Sequence, residues 1–215
     1  LTEGITIYGP KSLAELLQHL KGVKPLPRLV RDRRMLTAPP ALDLSDVKGQ
    51  ESAKRALEIA AAGRHNIGFY GPPGTGKTML ARALAGILPP LTDDDVLEVT
   101  AIHSTAGLLK EGEAMYWPPF RAPHHTSSYA SLIGGGTIPR PGEVTLAHRG
   151  LLFLDEFPEF HRDALESLRQ PMEEGKITIA RSKHTFTFPS RFMLVAASNP
   201  CPCGYYGDPT RECSC

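Results

Sequence analysis

The chain has 215 residues, enough for one domain with a full core plus a smaller piece, so a scaffold held together only by staples is excluded. It is 41% hydrophobic and 22% charged, and it contains no apolar run near the ~18 residues that a membrane-spanning helix needs. Basic residues number 24 against 23 acidic, so net charge names no partner and any basic surface must be local.

Ser12 followed by Glu15 forms a capping-box start, and Leu13, Leu16, Leu17 and Leu20 then share a helical face that ends at Gly22. Residues 23–45 mix Pro25, Pro27, Pro39 and Pro40 with a basic run from Lys21 and Lys24 through Arg28, Arg31, Arg33 and Arg34. That composition resists regular structure, so it predicts a solvated linker with a boundary near 40. Residues 1–40 are expected to be the remnant of an N-terminal domain and its linker, and 41–215 the main domain. The chain opens on Leu1 and stops on Cys215, which suggests a piece of something longer.

A helix is expected from Gln50, with Ala53, Ala56, Leu57 and Ala60 in register and Gly63 to stop it. Asn66–Tyr70 is a short apolar strand, followed by a glycine-rich turn and a helix over 79–88. Thr92 with Asp95 starts another helix toward His103. Residues 104–142 are rich in proline and glycine and predict a long irregular stretch, which inside a compact domain is usually functional or mobile. Leu151–Leu154 has the continuous apolarity of a strand buried on both faces. A helix over 161–169 should kink or stop at Pro171. Ile177, Ile179, Phe186 and Phe188 alternate with threonines as a hairpin does, and 192–197 forms a last strand. Strands separated by helices predict an α/β three-layer domain with a mostly parallel sheet.

Within that order, Gly71, Pro72, Pro73, Gly74, Thr75, Gly76, Lys77 and Thr78 fit the phosphate-binding loop G-x-x-x-x-G-K-[ST] between a strand and a helix. Its glycines let successive N–H groups converge on phosphate oxygens, Lys77 reaches the terminal phosphates, and the Thr78 hydroxyl suits Mg²⁺. Asp155 and Glu156 follow the buried strand, at the edge where open α/β sheets bind ligands. Asp155 is expected to hold magnesium, and Glu156 to act as general base on the attacking water. Asn199, closing the last strand, could position that water.

Together the phosphate loop, the segment Asp46, Val47, Gly49, Gln50, the run Leu151-Leu-Phe-Leu-Asp-Glu156 and Asn199 resemble an AAA+ ATPase. Phe120-Arg-Ala-Pro-His-His-Thr-Ser-Ser128, Gly134-Gly-Gly136, Arg140-Pro-Gly-Glu-Val144, Ala147-His-Arg-Gly150 and Asn199-Pro-Cys-Pro-Cys-Gly204 resemble, more narrowly, the magnesium-chelatase-like branch and its ComM/YifB family. The resemblance implies a P-loop ATPase core that takes ATP and Mg²⁺, with Val47 and Gln50 beside the nucleotide. It also implies a helix-2 insertion over 104–142 and a hairpin before the sensor strand. It further implies a homo-hexameric ring that acts on DNA in branch migration during natural transformation, alongside other recombination proteins; an ATPase subunit of a metal chelatase is the alternative. For DNA contact the hairpin offers Arg181, Lys183 and His184, although a solvated polar tip explains them equally well. An arginine finger and helical lid would follow Cys215, so this stretch alone is expected to hydrolyse ATP weakly.

Two features stay open. His124 and His125 could ligate metal, touch nucleotide or brace the irregular stretch; bracing is favoured, since two histidines alone make a poor metal site. Cys201, Cys203, Cys213 and Cys215 could bind zinc, stay reduced or form disulfides, and their one-residue spacing is tighter than that of most structural zinc sites. Their confinement to the end of the chain points to a reducing, cytoplasmic setting rather than a secreted fold.

Overall fold

The computed structural model describes residues 6–29, 42–110, 112–135, 140–181, 184–207 and 211–215. The chain divides into two compact units, Leu1–Leu36 and Thr37–Cys215. In the first, α1 (Leu13–Leu20) begins where Ser12 Oγ accepts the Glu15 N–H at 3.3 Å. The Glu15 carboxylate reaches back to the Lys11 N–H rather than to that of Ser12, so only half of the expected box forms. No residue of α1 is buried, and Leu13 and Leu20 are each 72% exposed. Arg31, Arg33, Arg34, Pro39 and Pro40 lie outside the described residues.

The second unit opens with a 3-10 turn at Leu44–Asp46, then α2 (Glu51–Gly63), β1 (Ile67–Tyr70), α3 (Lys77–Ile87) and α4 (Asp93–Thr105). Then come β2 (Phe120–Arg121), α5 (Tyr129–Ile133), β3 (Gly134–Gly135), β4 (Arg140–Pro141) and α6 (Glu143–Leu146). Beyond these lie β5 (Leu151–Leu154), α7 (Arg162–Glu166), α8 (Arg169–Glu174), β6 (Lys176–Arg181), β7 (His184–Pro189) and β8 (Met193–Ser198).

The main sheet is parallel throughout, in the order β1-β8-β5-β2. All four β5 residues are buried because the strand is central and covered on both faces. Leu151 and Phe153 pack with Leu57, Leu80 and Leu84 of α2 and α3, whereas Leu152 and Leu154 pack with Leu132, Val144, Phe160 and Leu168 on the other side. That alternation is the period-two geometry of a strand, and it makes the three layers. No helix among the described residues is long and apolar enough to cross a membrane.

The structure departs from the sequence reading at several points. The helix from Gln50 ends at Gly63 as expected, but Arg64 rather than the glycine takes the left-handed turn (φ 51°), and a Cβ on Gly63 would collide with the His65 ring. The irregular stretch hides a sheet strand: Phe120–Arg121 pairs with β5 directly after Pro118 and Pro119, and two residues are too few for an alternation to be seen. The helix expected over 161–169 is two helices, broken at Ser167–Leu168. Pro171 sits inside the first turn of α8, where its missing N–H costs nothing, and its ring disfavours continuing the helix back through Ser167. At α4, Thr92 Oγ1 accepts the Asp95 N–H at 3.3 Å, but the Asp95 carboxylate pairs with Arg149 Nε at 2.9 Å instead of returning to the cap.

The Ala147-His-Arg-Gly150 stretch joins α4 to the sheet. His148, 2% exposed, accepts the Arg191 N–H on Nδ1 at 3.0 Å and meets Glu98 Oε2 through Nε2 at 3.1 Å. Burial therefore pushes His148 below its ordinary value despite Glu98, and it does the same to buried His103, whose Nε2 reaches the Leu146 carbonyl at 3.0 Å. Unfolded histidines titrate near ~6.5, so below that pH unfolding takes up protons that the folded chain refuses. Stability should therefore fall on acidification through about pH 6.5, read as a lower urea midpoint near pH 5.5 than near 7.5. His148→Gln should flatten that slope, and equal midpoints at the two pH values in the unmutated protein would contradict the assignment.

Candidate nucleotide site

The parallel register decides which loops meet. Tyr70 is level with Ser198, and Leu154 with Ala196, so β1, β8 and β5 end side by side. The residues that follow them are Gly71, Asn199 and Asp155. The Gly71 N–H donates to the Ser198 carbonyl at 3.2 Å, tying the start of the phosphate loop to the end of β8.

From the first turn of α3, Lys77 Nζ donates to the carbonyls of Gly71 (2.7 Å) and Pro72 (3.0 Å) and to Asn199 Oδ1 (2.9 Å). Thr78 Oγ1 donates to Asp155 Oδ2 at 2.8 Å, and Asp155 Oδ1 accepts the Glu156 N–H at 3.0 Å. Glu156 adopts φ 53°, which turns the chain sharply off β5, and its Oε2 lies 2.9 Å from His125 Nδ1. Thr75 Oγ1 closes the loop on the Pro72 carbonyl at 2.9 Å, and Gln50 Nε2 reaches the Thr75 carbonyl at 3.4 Å. Val47 is 1% exposed and packs in the core.

These residues fit a magnesium-nucleotide. Gly74 and Gly76 hold φ of 81° and 84°, where side chains are strained, and nothing lies within 4 Å of a Cβ built on Gly74. The loop thus leaves open a cradle of backbone donors at the start of α3, which suits phosphate. The Thr78 hydroxyl and Asp155 carboxylate are hard oxygen donors of the type magnesium takes. One cleft of about 640 Å³ is lined by Tyr70, His125, Glu156, Asn199 and Cys201, and a second of about 350 Å³ by Thr78, Arg82, Phe120, His124 and Asp155.

His125 is the site contact that the sequence left undecided among three roles. Its ring lies 4.1 Å from that of His124, whose Nδ1 meets Thr126 Oγ1 at 2.9 Å. Only the return of β2 beside β5 brings His125 to Glu156, so no spacing along the chain could announce it. Lys183 lies outside the described residues. Arg181 and His184 pair across the β6–β7 ladder, which is a separate two-stranded sheet, and their side chains are not described.

Two of the four cysteines, Cys201 and Cys203, come just after Asn199, and Cys213 and Cys215 fold back to them. Their sulfurs lie within 4.8 Å of one another, and none forms a disulfide. They do not titrate alike. The Tyr205 N–H, then Cys215 and Cys201, bring Cys203 down to about 6. The Cys203 N–H favours the Cys215 thiolate, yet the neighbouring sulfurs push Cys215 up to about 12.

Comparison with known proteins agrees with this geometry. The family described as "Magnesium chelatase, subunit ChlI" matches residues 43–215. Competence protein ComM of Haemophilus influenzae is 49% identical over 207 residues, covering 93% of this chain and 40% of that protein. YifB of Escherichia coli is 51% identical over 172 residues, covering 80% of this chain and 34% of that protein, so the chain spans well under half of either relative. Among solved structures, that of the complex between magnesium chelatase subunits BchI and BchD superposes with a TM-score of 0.60 at 26% identity, over 75% of this chain and 56% of that one. The parallel sheet, the phosphate loop and these likenesses make the fold that of a P-loop AAA+ ATPase core, and the chain belongs to the magnesium chelatase ChlI family, on its ComM- and YifB-like side.

Proposed function

We propose that the chain is the ATP-binding and ATP-hydrolysing core of a ring-forming DNA motor of ComM type, working in the cytoplasm in branch migration during natural transformation and recombination. The observation that carries the hydrolytic part is the convergence of Lys77 on Asn199 and of Thr78 on Asp155 at adjacent strand ends. In this reading the backbone N–H groups of Gly71–Thr78 hold the phosphates, and Lys77 supplies a positive charge to them. Thr78 and Asp155 would hold magnesium, which when bound neutralises phosphate charge. Glu156 takes the proton of the attacking water while Asn199 orients it, and His125 fixes the Glu156 carboxylate through Oε2. Val47 shapes the wall behind the loop, and Gln50 steadies Thr75. Self-association into a ring, a hexamer by the family resemblance, would bring a cation from the neighbouring subunit.

The hairpin would carry Arg181, Lys183 and His184 to DNA phosphates. In the full-length protein, ATP hydrolysis should rise with single-stranded or branched DNA. Lys183→Ala should remove most of that rise, and the salt dependence of DNA binding should become shallower by about one counterion. Hydrolysis indifferent to every DNA tested would remove the motor reading. It would leave the second one, an ATPase subunit of a metal chelatase, which the likeness to BchI favours.

A further inference from the structure

The end of the chain brings four sulfurs together without any apparent use in ATP chemistry. Cys201 Sγ is 3.3 Å from Cys203 Sγ and 3.7 Å from Cys213 Sγ, and Cys203 Sγ is 3.6 Å from Cys213 Sγ. A tetrahedral ion with metal–sulfur bonds of about 2.3 Å requires sulfur separations of roughly 3.8 Å, close to those found. Backbone donors already point at the sulfurs, with the Cys203 N–H 3.1 Å from Cys215 Sγ and the Tyr206 N–H 3.3 Å from Cys201 Sγ. Such backbone donors are the outer contacts that orient sulfur ligands around a metal. The tight C-x-C spacing is accommodated by a turn in which the Gly204 N–H returns to the Cys201 carbonyl at 2.9 Å with φ 85° at Gly204.

That same turn leans on the phosphate loop. A Cβ on Gly204 would lie 2.6 Å from Pro73 Cδ and 2.7 Å from its Cγ, so the glycine backbone sits directly against the loop. Tyr70 Oη, at the end of β1, donates to the Pro200 carbonyl at 3.4 Å, and Asn199 next to it holds Lys77. The segment that carries the cluster is thus fastened to the residue before the loop, to Pro73 within it and, through Asn199, to its lysine.

We propose that Cys201, Cys203, Cys213 and Cys215 bind one zinc ion as a tetrathiolate centre, and that this centre braces the phosphate loop through Gly204 against Pro73. Soft sulfur donors in a closed tetrahedron select zinc over magnesium, and the displaced thiol protons pass to solvent. A structural ion here ties the Cys201–Gly204 turn to Cys213 and Cys215, and the stiffness is passed to the loop. The metal site is independent of the hydrolytic reading; the bracing rests on nucleotide binding at that loop.

The test uses the full-length protein purified without chelator. Elemental analysis should give one zinc per chain, and exchange for cobalt should produce thiolate-to-metal charge transfer with the visible bands of a tetrahedral ion. Those bands should vanish in Cys203→Ser. Should that variant fold poorly, the cobalt spectrum and free-thiol count of the unmutated protein decide alone. Four freely titrating thiols with no zinc, or iron in its place, overturns the site. Gly204→Ala should keep its zinc yet bind a fluorescent ATP analogue about tenfold more weakly. Unchanged affinity in that zinc-loaded variant overturns the brace. If the zinc-loaded unmutated protein binds no nucleotide, the ATP reading fails and the brace with it, while the metal analysis still decides the site.

Discussion

Glu156→Gln in the full-length protein is expected to bind ATP as the unmutated protein does and to release phosphate at least ~10²-fold more slowly. The substitution preserves shape and removes only the ability to accept a proton. Phosphate-loop contacts are untouched, because Glu156 touches neither Lys77 nor Thr78 among the described contacts and meets Asp155 only through its own backbone N–H. The amide can still bond to His125, so the local turn at φ 53° should persist. Phosphate release under saturating ATP and a binding titration on the same sample separate the two effects. Hydrolysis within a few-fold of normal would move the base elsewhere, and the cleft around Glu156 offers few other candidates.

Lys77→Ala should weaken nucleotide binding by roughly 10- to 100-fold, the scale of a lost hydrogen bond to a charged group. Its ammonium gathers two loop carbonyls and Asn199 around one charge, so the substitution removes the only cation bonded within the loop among the described residues. Lys77 is only partly buried, and water can replace it against the carbonyls, so the folding midpoint should move little. Calorimetric titration with ATP and a urea curve on the same variant distinguish a lost contact from a lost fold. ATP affinity equal to that of the unmutated protein would sink the role given to the lysine. A large drop in stability would show instead that Lys77 mainly holds the loop together.

Much of this is readable from local chemistry. The strand, glycine turn and helix around Lys77 declare themselves because backbone geometry near phosphate admits few residue types. Leu151–Leu154 declares itself because burial on both faces forbids polar residues at each position. The hairpin over 176–189 follows from alternation alone, and the ladder pairs Ile177 with Phe188 and Ile179 with Phe186. Where the structure departs from the sequence reading, the cause leaves no pattern along the chain: Phe120–Arg121 is too short a strand for its alternation to show. The Ser167–Leu168 break precedes Pro171 because the proline ring acts on the turn before it.

Sequence by itself determined the phosphate loop and the acidic pair, since each depends on residue types within a few positions of one another, and the parallel α/β class and the family, since these are read from the order of such local runs along the chain. Only the tertiary structure decided that Asn199 holds Lys77, that His125 meets Glu156, and that four sulfurs converge beside Pro73. The first two meetings are set by the strand order β1-β8-β5-β2, and that order arises from how two apolar layers close over a sheet rather than from any local run of residues.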